Sequence, residues 1–164
     1  MDDKKVKIYL AGPLGFSEAG RMFYYEKLVP TIKELGYDVI DPWKLTPDEI
    51  TEPVFSMPYG EEKKEKLKEL NATIGKNNAK AIEESTGMVA ILDGSDVDGG
   101  TASEIGYASA LEKPIIGYRG DFRLSSENEG SLVNLQIEYF IRKSGGTITT
   151  QIDEMEEELK RIFG

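Results

Sequence analysis

Histidine and cysteine are both missing from the 164-residue sequence, which has 30 acidic and 20 basic residues. Without cysteine there are no disulfides, no thiolate metal sites and no cysteine nucleophile. Without histidine the chain lacks the commonest general acid or base and the commonest metal ligand. Any catalysis near neutral pH therefore falls to carboxylates, tyrosines or lysines.

Long apolar runs and an excess of positive charge are also absent. No apolar run approaches the length that spans a bilayer, and the N-terminal MDDKKVKIYLAG has neither a long apolar stretch nor a small-residue cleavage pattern. We therefore expect a cytoplasmic protein without a membrane partner. The net charge of −10 disfavours a nucleic-acid polymer as partner, because such binding needs a basic patch. A small, neutral or weakly charged ligand is expected.

The chain is long enough for one domain with a full core, and we expect a single domain over residues 1–164. Apolar runs typical of strands alternate with segments that have helical spacing. The run from 61 to 84 is predicted to be a helix with Gly75 as its weak point, and 44–60 a long loop with some local helix. The predicted strands are VKIYLAG (6–12), YDVIDPW (37–43), MVAIL (88–92), KPIIGY (113–118) and TITT (147–150). This alternation predicts an α/β fold, an open and mostly parallel sheet of about five strands with helices on both faces.

In such a sheet, ligands bind beyond the carboxyl ends of the strands, where the strand order reverses. The sequence contains neither a GxxxxGK[ST] motif nor a GxGxxG motif, so a P-loop or dinucleotide-binding site is not favoured. The loops after the first and third strands are expected to meet. If these two loops meet, they bring together Tyr9, Gly12, Phe16, Asp93, Asp98 and Glu104.

The stretch DVDGGTASEIGYA (96–108) supports two interpretations. TASE fits a capping box, in which Thr101 and Glu104 satisfy each other's backbone N–H groups at a helix start. Alternatively, Asp98 and Glu104 are a pair of reactive carboxylates, and the glycine pair with Gly100 lets a ligand approach the backbone. A glutamate in the first helical turn would also lie in a positive dipole field that favours its ionised form. The sequence leaves open whether Glu104 caps a helix or takes part in chemistry.

Three segments in the same order carry a family resemblance: IYLAGPLGF, MVAILDGSDVDGGTASEIGYASALEKPIIGYRGDFR and VNLQIEYF. They resemble the nucleoside 2-deoxyribosyltransferases, and D-x-G-T-x-x-E-x-G-Y-A is the specific part. The resemblance covers most of the chain and implies a flavodoxin-like sheet. It also implies an enzyme of nucleotide salvage that moves 2-deoxyribose from one nucleobase to another, with deoxynucleosides and free nucleobases as its partners.

The resemblance assigns roles by position. Glu104 resembles the family's nucleophile, Tyr9 the tyrosine that orients it, and Asp98 the carboxylate that contacts the base and helps to protonate it. Asn134 resembles an asparagine that reaches a sugar hydroxyl across a subunit interface, so we expect a homo-oligomer with shared sites. The other residues predicted to contact substrate are Gly12, Phe16, Trp43, Asn78, Asp93, Gly100, Arg119 and Asp121.

Two of these assignments have open alternatives. Relatives often have an aspartate where this chain has Asn78, which leaves open which group assists base protonation and which base is preferred. Arg119 and Asp121, together with Arg123, lie either at the edge of the site or in a surface loop with an ion pair.

The chemistry suits these residue types, because displacement of a base from C1′ passes through an oxocarbenium-like state that a carboxylate can trap covalently while an acid protonates the leaving group. Two displacements retain the configuration at C1′. We expect neither a metal nor a cofactor. Two alternatives remain: an N-glycosidase of deoxynucleoside 5′-monophosphates, which gives the sugar to water, and a non-catalytic nucleotide-binding regulatory module in which Glu104 only caps.

Overall fold

A computed structural model describes residues 5–164. The strands are β1 (Lys7–Ala11), β2 (Asp38–Ile40), β3 (Gly87–Ile91), β4 (Ile115–Tyr118) and β5 (Ile148–Thr149). The helices are α1 (Glu18–Phe23), α2 (Val29–Glu34), α3 (Asp48–Phe55), α4 (Glu61–Glu84), α5 (Gly99–Ala110), α6 (Leu135–Lys143) and α7 (Ile152–Phe163). Across residues 5–164, no helix combines the length and the apolar character needed to cross a membrane.

The five strands form one sheet in the order β2-β1-β3-β4-β5, and every neighbouring pair is parallel. This is the flavodoxin-like order, so the predicted α/β fold with an open parallel sheet is confirmed. The order reverses between β1 and β3, which lie side by side and lead to opposite edges. The loops after these two strands therefore flank the site that such sheets use for ligands.

The core lies on both faces of the sheet. Alternate residues of β1 face opposite ways: Tyr9 belongs to the apolar cluster on one face and Leu10 to that on the other. Helices α4, α5 and α6 cover the face of Tyr9, whereas α7 and the first helical region, residues 18–34 from α1 to α2, cover the opposite face. β3 is buried along its whole length, as expected for a central strand covered on both sides.

Three local features add to the sequence expectations. The segment predicted to be a long loop with some local helix contains α3, and α4 continues through the predicted weak point Gly75 because its apolar side packs against the rest of the fold while Gly75 itself is exposed. Between α1 and α2 the chain forms one π-helical turn, Tyr24–Leu28. The helix after β3 begins at Gly99, before Thr101.

Candidate active site

A cavity of about 440 Å³ lies beyond the carboxyl ends of β1, β2 and β3. Its lining residues are Gly12, Phe16, Pro42, Trp43, Phe55, Asn71, Ile74, Asn78, Asp98, Gly100, Thr101 and Glu104. The loops after β1 and β3 thus meet as expected, and the loop after β2 and one side of α4 complete the wall. The structure brings together seven of the predicted site residues here: Gly12, Phe16, Trp43, Asn78, Asp98, Gly100 and Glu104.

Glu104 projects from α5 towards the end of β1. The buried Tyr9 hydroxyl donates a hydrogen bond to Glu104 Oε1 at 2.7 Å. Asn78 Nδ2 donates to the same oxygen at a longer 3.4 Å. Within residues 5–164, no hydrogen bond engages Glu104 Oε2. One carboxylate oxygen is therefore fixed by the protein and the other is available to a ligand.

Burial controls the protonation of this pair. Desolvation raises the pKa of Glu104 above its ordinary value; the bond from Tyr9 opposes that rise, and the nearby Asp98 charge adds to it. Burial, together with the Glu104 carboxylate, also raises the pKa of Tyr9. Tyr9 therefore stays a neutral hydrogen-bond donor at neutral pH.

The capping-box interpretation of TASE is wrong. Asp98 is the N-cap of α5, and its Oδ2 accepts hydrogen bonds from the backbone N–H of Thr101 at 2.9 Å and from the Thr101 hydroxyl at 3.1 Å. The helix starts at the glycine pair, so Thr101 is its third residue and Glu104 lies in the second turn. Because the helix-dipole effect falls off within the first turn, the predicted dipole stabilisation of ionised Glu104 is also weakened.

Asp93, Arg119 and Asp121 are among the predicted residues that lie outside the cavity lining. Asp93 accepts a hydrogen bond from the backbone N–H of Asp121 at 2.9 Å. Arg119 is buried and donates to backbone carbonyls, those of Leu92, Gly94 and Arg123. These contacts tie the loop after β4 to the loop after β3. The roles of Asp93 and Arg119 in substrate contact stay predictions.

Asp121 forms a bidentate ion pair with Arg123, which holds the pKa of its carboxyl group well below the usual range. This geometry matches the ion-pair loop that the sequence left open. Contact of Asp121 with substrate stays a prediction.

Asn134 also lies away from the cavity lining of its own chain. Its Oδ1 caps α6 by accepting from the backbone N–H groups of Gln136 and Ile137, and its Nδ2 donates to Glu127. It borders a separate open depression between α5 and α6. This placement leaves Asn134 at the surface, where the sequence predicts a subunit contact.

Sequence reasoning missed five lining residues, namely Pro42, Phe55, Asn71, Ile74 and Thr101. Spacing could have indicated two of them, because Asn71, Ile74 and Asn78 follow at intervals of three and four on one side of a helix. Phe55 lies in α3, in the segment that was predicted to be a long loop with some local helix. Among residues 5–164 there is no cluster of three or more acidic side chains placed to hold a metal ion.

Comparisons with known proteins agree with this fold. The structure superposes on a conserved protein of Enterococcus faecalis with a TM-score of 0.69 and 26% identity, covering 96% of this chain and 98% of the other. A 2-deoxyribosyltransferase of Leishmania mexicana gives a TM-score of 0.66 and 20% identity, with 96% and 98% covered. A CMP N-glycosidase of Clostridium botulinum gives 0.53 and 21%, with 94% and 98% covered.

No curated protein matches the chain closely enough to count as a relative. The sequence model for "Nucleoside 2-deoxyribosyltransferase", by contrast, matches residues 8–136. This range includes Tyr9, the whole of α5 with Asp98 and Glu104, and the loop that leads to α6. The match spans most of the chain, and the observed fold is that of structures with this activity in their names. The chain belongs to the nucleoside 2-deoxyribosyltransferase family.

Proposed function

We propose that the protein transfers 2-deoxyribose between nucleobases through a covalent deoxyribosyl–Glu104 intermediate. The observation that carries this proposal is that the two oxygens of the Glu104 carboxylate differ. Oε1 accepts a hydrogen bond from the Tyr9 hydroxyl at 2.7 Å, while Oε2 has no hydrogen-bond partner within residues 5–164. A positioned carboxylate with one free oxygen suits attack on a sugar carbon.

The reaction consists of two displacements at C1′. Glu104 Oε2 attacks C1′, the bond between C1′ and the base nitrogen breaks, and its electron pair leaves with the base. Asp98, whose Oδ1 is not engaged within residues 5–164, contacts the base and helps to deliver the proton that this nitrogen gains. A ring nitrogen of a second base then attacks C1′ and gives up its proton to Asp98, while the bond between C1′ and Glu104 breaks, so the configuration at C1′ is retained.

The remaining cavity residues bind the substrate. Phe16 and Trp43 supply aromatic surface for the base, and Gly12 and Gly100 allow the ligand to approach the backbone. Asn78 presents an amide beside the nucleophile. These roles follow the family pattern and the position of each side chain in the cavity.

The charge of the cavity favours a nucleoside over a nucleotide. Its lining within residues 5–164 includes the carboxylates of Asp98 and Glu104 but no lysine or arginine. A 5′-phosphate in this cavity would face these carboxylates without a counter-charge from the lining residues that the structure describes. The nucleoside 5′-monophosphate N-glycosidase therefore ranks behind the transferase.

The experiment that tests the function is base exchange followed by chromatography. The purified protein is incubated with a deoxynucleoside and a different free base, and separately with the deoxynucleoside alone and with its 5′-monophosphate. The expected result is formation of the exchanged deoxynucleoside. Release of base without exchange would identify a hydrolase, and binding without either product would identify a regulatory module.

We further propose that the protein is a homo-oligomer in which Asn134 completes a neighbouring site. The start of α6 exposes Leu135 and Tyr139, which are 51% and 57% accessible, next to Asn134. Asn134→Ser keeps a capping oxygen but removes the amide. If sites are shared, co-assembled Asn134→Ser and Glu104→Gln subunits should regain exchange that neither variant has alone. A monomeric and fully active protein in sedimentation would contradict the proposal.

Replacement of Asn78 by aspartate should shift the pH dependence of exchange. Because Asn78 Nδ2 lies 3.4 Å from Glu104 Oε1, an aspartate there would put a second negative charge beside the nucleophile. The groups already facing Glu104 are Tyr9 and Asp98. The Glu104 pKa should rise further, so activity should be lost at a pH higher by about one unit or more.

The matched control is Asn77→Asp, because Asn77 donates its amide to the Thr46 hydroxyl at 3.0 Å and does not contact Glu104. The new charge is then one residue away in sequence but not against the nucleophile. Acidic limbs of the pH–rate profile that coincide in Asn78→Asp and Asn77→Asp would contradict the prediction.

A further inference from the structure

A cluster of polar side chains lies behind the cavity wall and takes no direct part in the proposed reaction. The Tyr24 hydroxyl donates to Asp41 Oδ1 at 3.0 Å, and the Tyr25 hydroxyl donates to Asp41 Oδ2 at 2.9 Å. Asp41 Oδ1 also accepts from the backbone N–H of Trp43 at 3.0 Å. One carboxylate therefore joins the first helical region to the loop after β2.

This convergence coincides with an unusual backbone turn. Consecutive residues of an α-helix point about 100° apart, so adjacent tyrosines do not normally reach one acceptor. Here the π-helical turn starts at Tyr24, and the two rings lie 4.9 Å apart at 77°. Single π-helical turns within α-helices occur frequently at functional sites. At this turn two adjacent hydroxyls share one acceptor, Asp41.

The hydroxyls remain donors over a wide pH range. Burial, with the hydrogen bond to Asp41 as the next cause, raises the pKa of Tyr25 to about 12. Burial and Asp41 likewise raise the pKa of Tyr24, which is almost completely buried. The hydrogen-bonded cluster of Asp41, Tyr24 and Tyr25, which forms a brace, therefore keeps its hydroxyl donors at neutral pH and does not act as a pH switch there.

The brace ends at an aromatic wall of the cavity. Asp41 caps the short 3-10 turn Pro42–Lys44, which carries Trp43. The Trp43 ring lies against the loop after β1, because a Cβ on Gly15 would be only 2.2 Å from Trp43 Cε2. Phe16 meets the same ring edge to face, with centroids 4.8 Å apart and planes at 86°. Trp43 is therefore fixed between the Asp41 cap and the β1 loop.

We propose that Asp41, held by Tyr24 and Tyr25, is a positioning residue that fixes Trp43 as a stacking surface for a planar heteroaromatic ring. This inference rests on the proposed function for the identity of the ring, a nucleobase. It assigns Asp41 to ring binding, with no contact to the reacting atoms. Loss of the brace therefore weakens binding of the ring more than it slows the chemical step.

Trp43 is the only tryptophan of the sequence, so its fluorescence reports the state of this wall directly. Free adenine and free cytosine are titrated into wild type and Asp41→Ala with fluorescence as the readout. In Asp41→Ala the emission should shift to the red, acrylamide quenching should increase, and Kd for the free base should rise about tenfold, since stacking on an aromatic side chain contributes at that level. KM should rise with kcat changing less.

Two further variants separate positioning from general stability. Asp38→Ala is the matched control, because Asp38 also lies on the β2 segment but pairs with the exposed Lys5; it should leave fluorescence and Kd unchanged. Tyr25→Phe removes one hydroxyl and should move fluorescence and Kd in the direction of Asp41→Ala. When Asp41→Ala and Tyr25→Phe are combined, their effects on fluorescence and Kd should not add, because Tyr25 acts through Asp41.

The inference is overturned if Asp41→Ala lowers only the melting temperature and leaves Trp43 emission, quenching and Kd at wild-type values. If Asp41→Ala does not fold, Tyr25→Phe tests the same inference. Wild-type emission and a wild-type Kd in Tyr25→Phe would then contradict it. Failure of the proposed function is distinguishable, because wild type would then show no base exchange while Trp43 would still respond to free base in an Asp41-dependent way.

Discussion

Glu104→Gln should fold like wild type and lose base exchange by about 10⁴-fold or more, as removal of a nucleophile from a cooperating group commonly does. Glutamine has nearly the same shape, and its amide oxygen can still accept the hydrogen bond that the Tyr9 hydroxyl donates to Glu104 Oε1 at 2.7 Å. It cannot form the glycosyl ester on which the proposed reaction depends. The measurement is the exchange rate of purified variant and wild type under identical conditions.

The stability of this variant follows from the raised Glu104 pKa. Burial raises the Glu104 pKa above its unfolded-state value, so the native state binds the carboxyl proton more tightly. The free energy of unfolding therefore falls as the pH rises from the unfolded-state pKa through the native pKa. A neutral glutamine removes that cost. Glu104→Gln should therefore melt at or above the wild-type temperature at pH 7, because Glu104 is not a helix cap in the structure.

The control is Glu83→Gln, which removes an exposed carboxylate that accepts a hydrogen bond from Tyr107. It should leave exchange unchanged. With a slow 2-fluoro-deoxynucleoside, wild type should gain the mass of one sugar on the peptide that contains Glu104, and Glu104→Gln should not. An active Glu104→Gln enzyme without an adduct at this position in wild type would refute the covalent mechanism.

The fold was predictable because its signals are local. The buried run MVAIL and the strands before and after it alternate with amphipathic helices, and this pattern favours a parallel sheet whatever the details of the loops. The place of the cavity followed from the same topology, since the chain leaves β1 and β3 towards opposite edges of the sheet and the loops after these strands flank one site. Tyr9 and Glu104, 95 positions apart, meet there.

Cap geometry was not predictable from the same local pattern. Both Asp98 and Thr101 are good N-cap residues, and the sequence TASE satisfies the capping-box pattern. The backbone decides between them, because the glycine pair is helical and the Asp98 carboxylate reaches the Thr101 N–H. The Asp41 cluster was also not predictable, since it joins residues 16 and 17 positions apart at a π-helical turn that no simple periodicity indicates.

Asp98→Asn should reduce base exchange by roughly 10²- to 10⁴-fold while leaving the helix cap intact. The structure requires this choice of substitution, because Asp98 Oδ2 caps α5 through Thr101 and alanine would remove the cap together with the acid. Asparagine is as good an N-cap as aspartate, but it cannot donate a proton to the departing base. Loss of general acid catalysis is worth about 10²- to 10⁴-fold in rate.

The matched pair of measurements is exchange with a natural deoxynucleoside and with one whose leaving base needs little protonation. Asp98→Asn should be slow with the first and nearer to wild type with the second, because only the first depends on the acid. Its melting temperature should stay close to that of wild type, whereas Asp98→Ala should lose on the order of 1 kcal/mol of stability. Equal rates for Asp98→Asn and wild type on the natural substrate would leave Asp98 with the helix cap as its role and remove it from the chemistry.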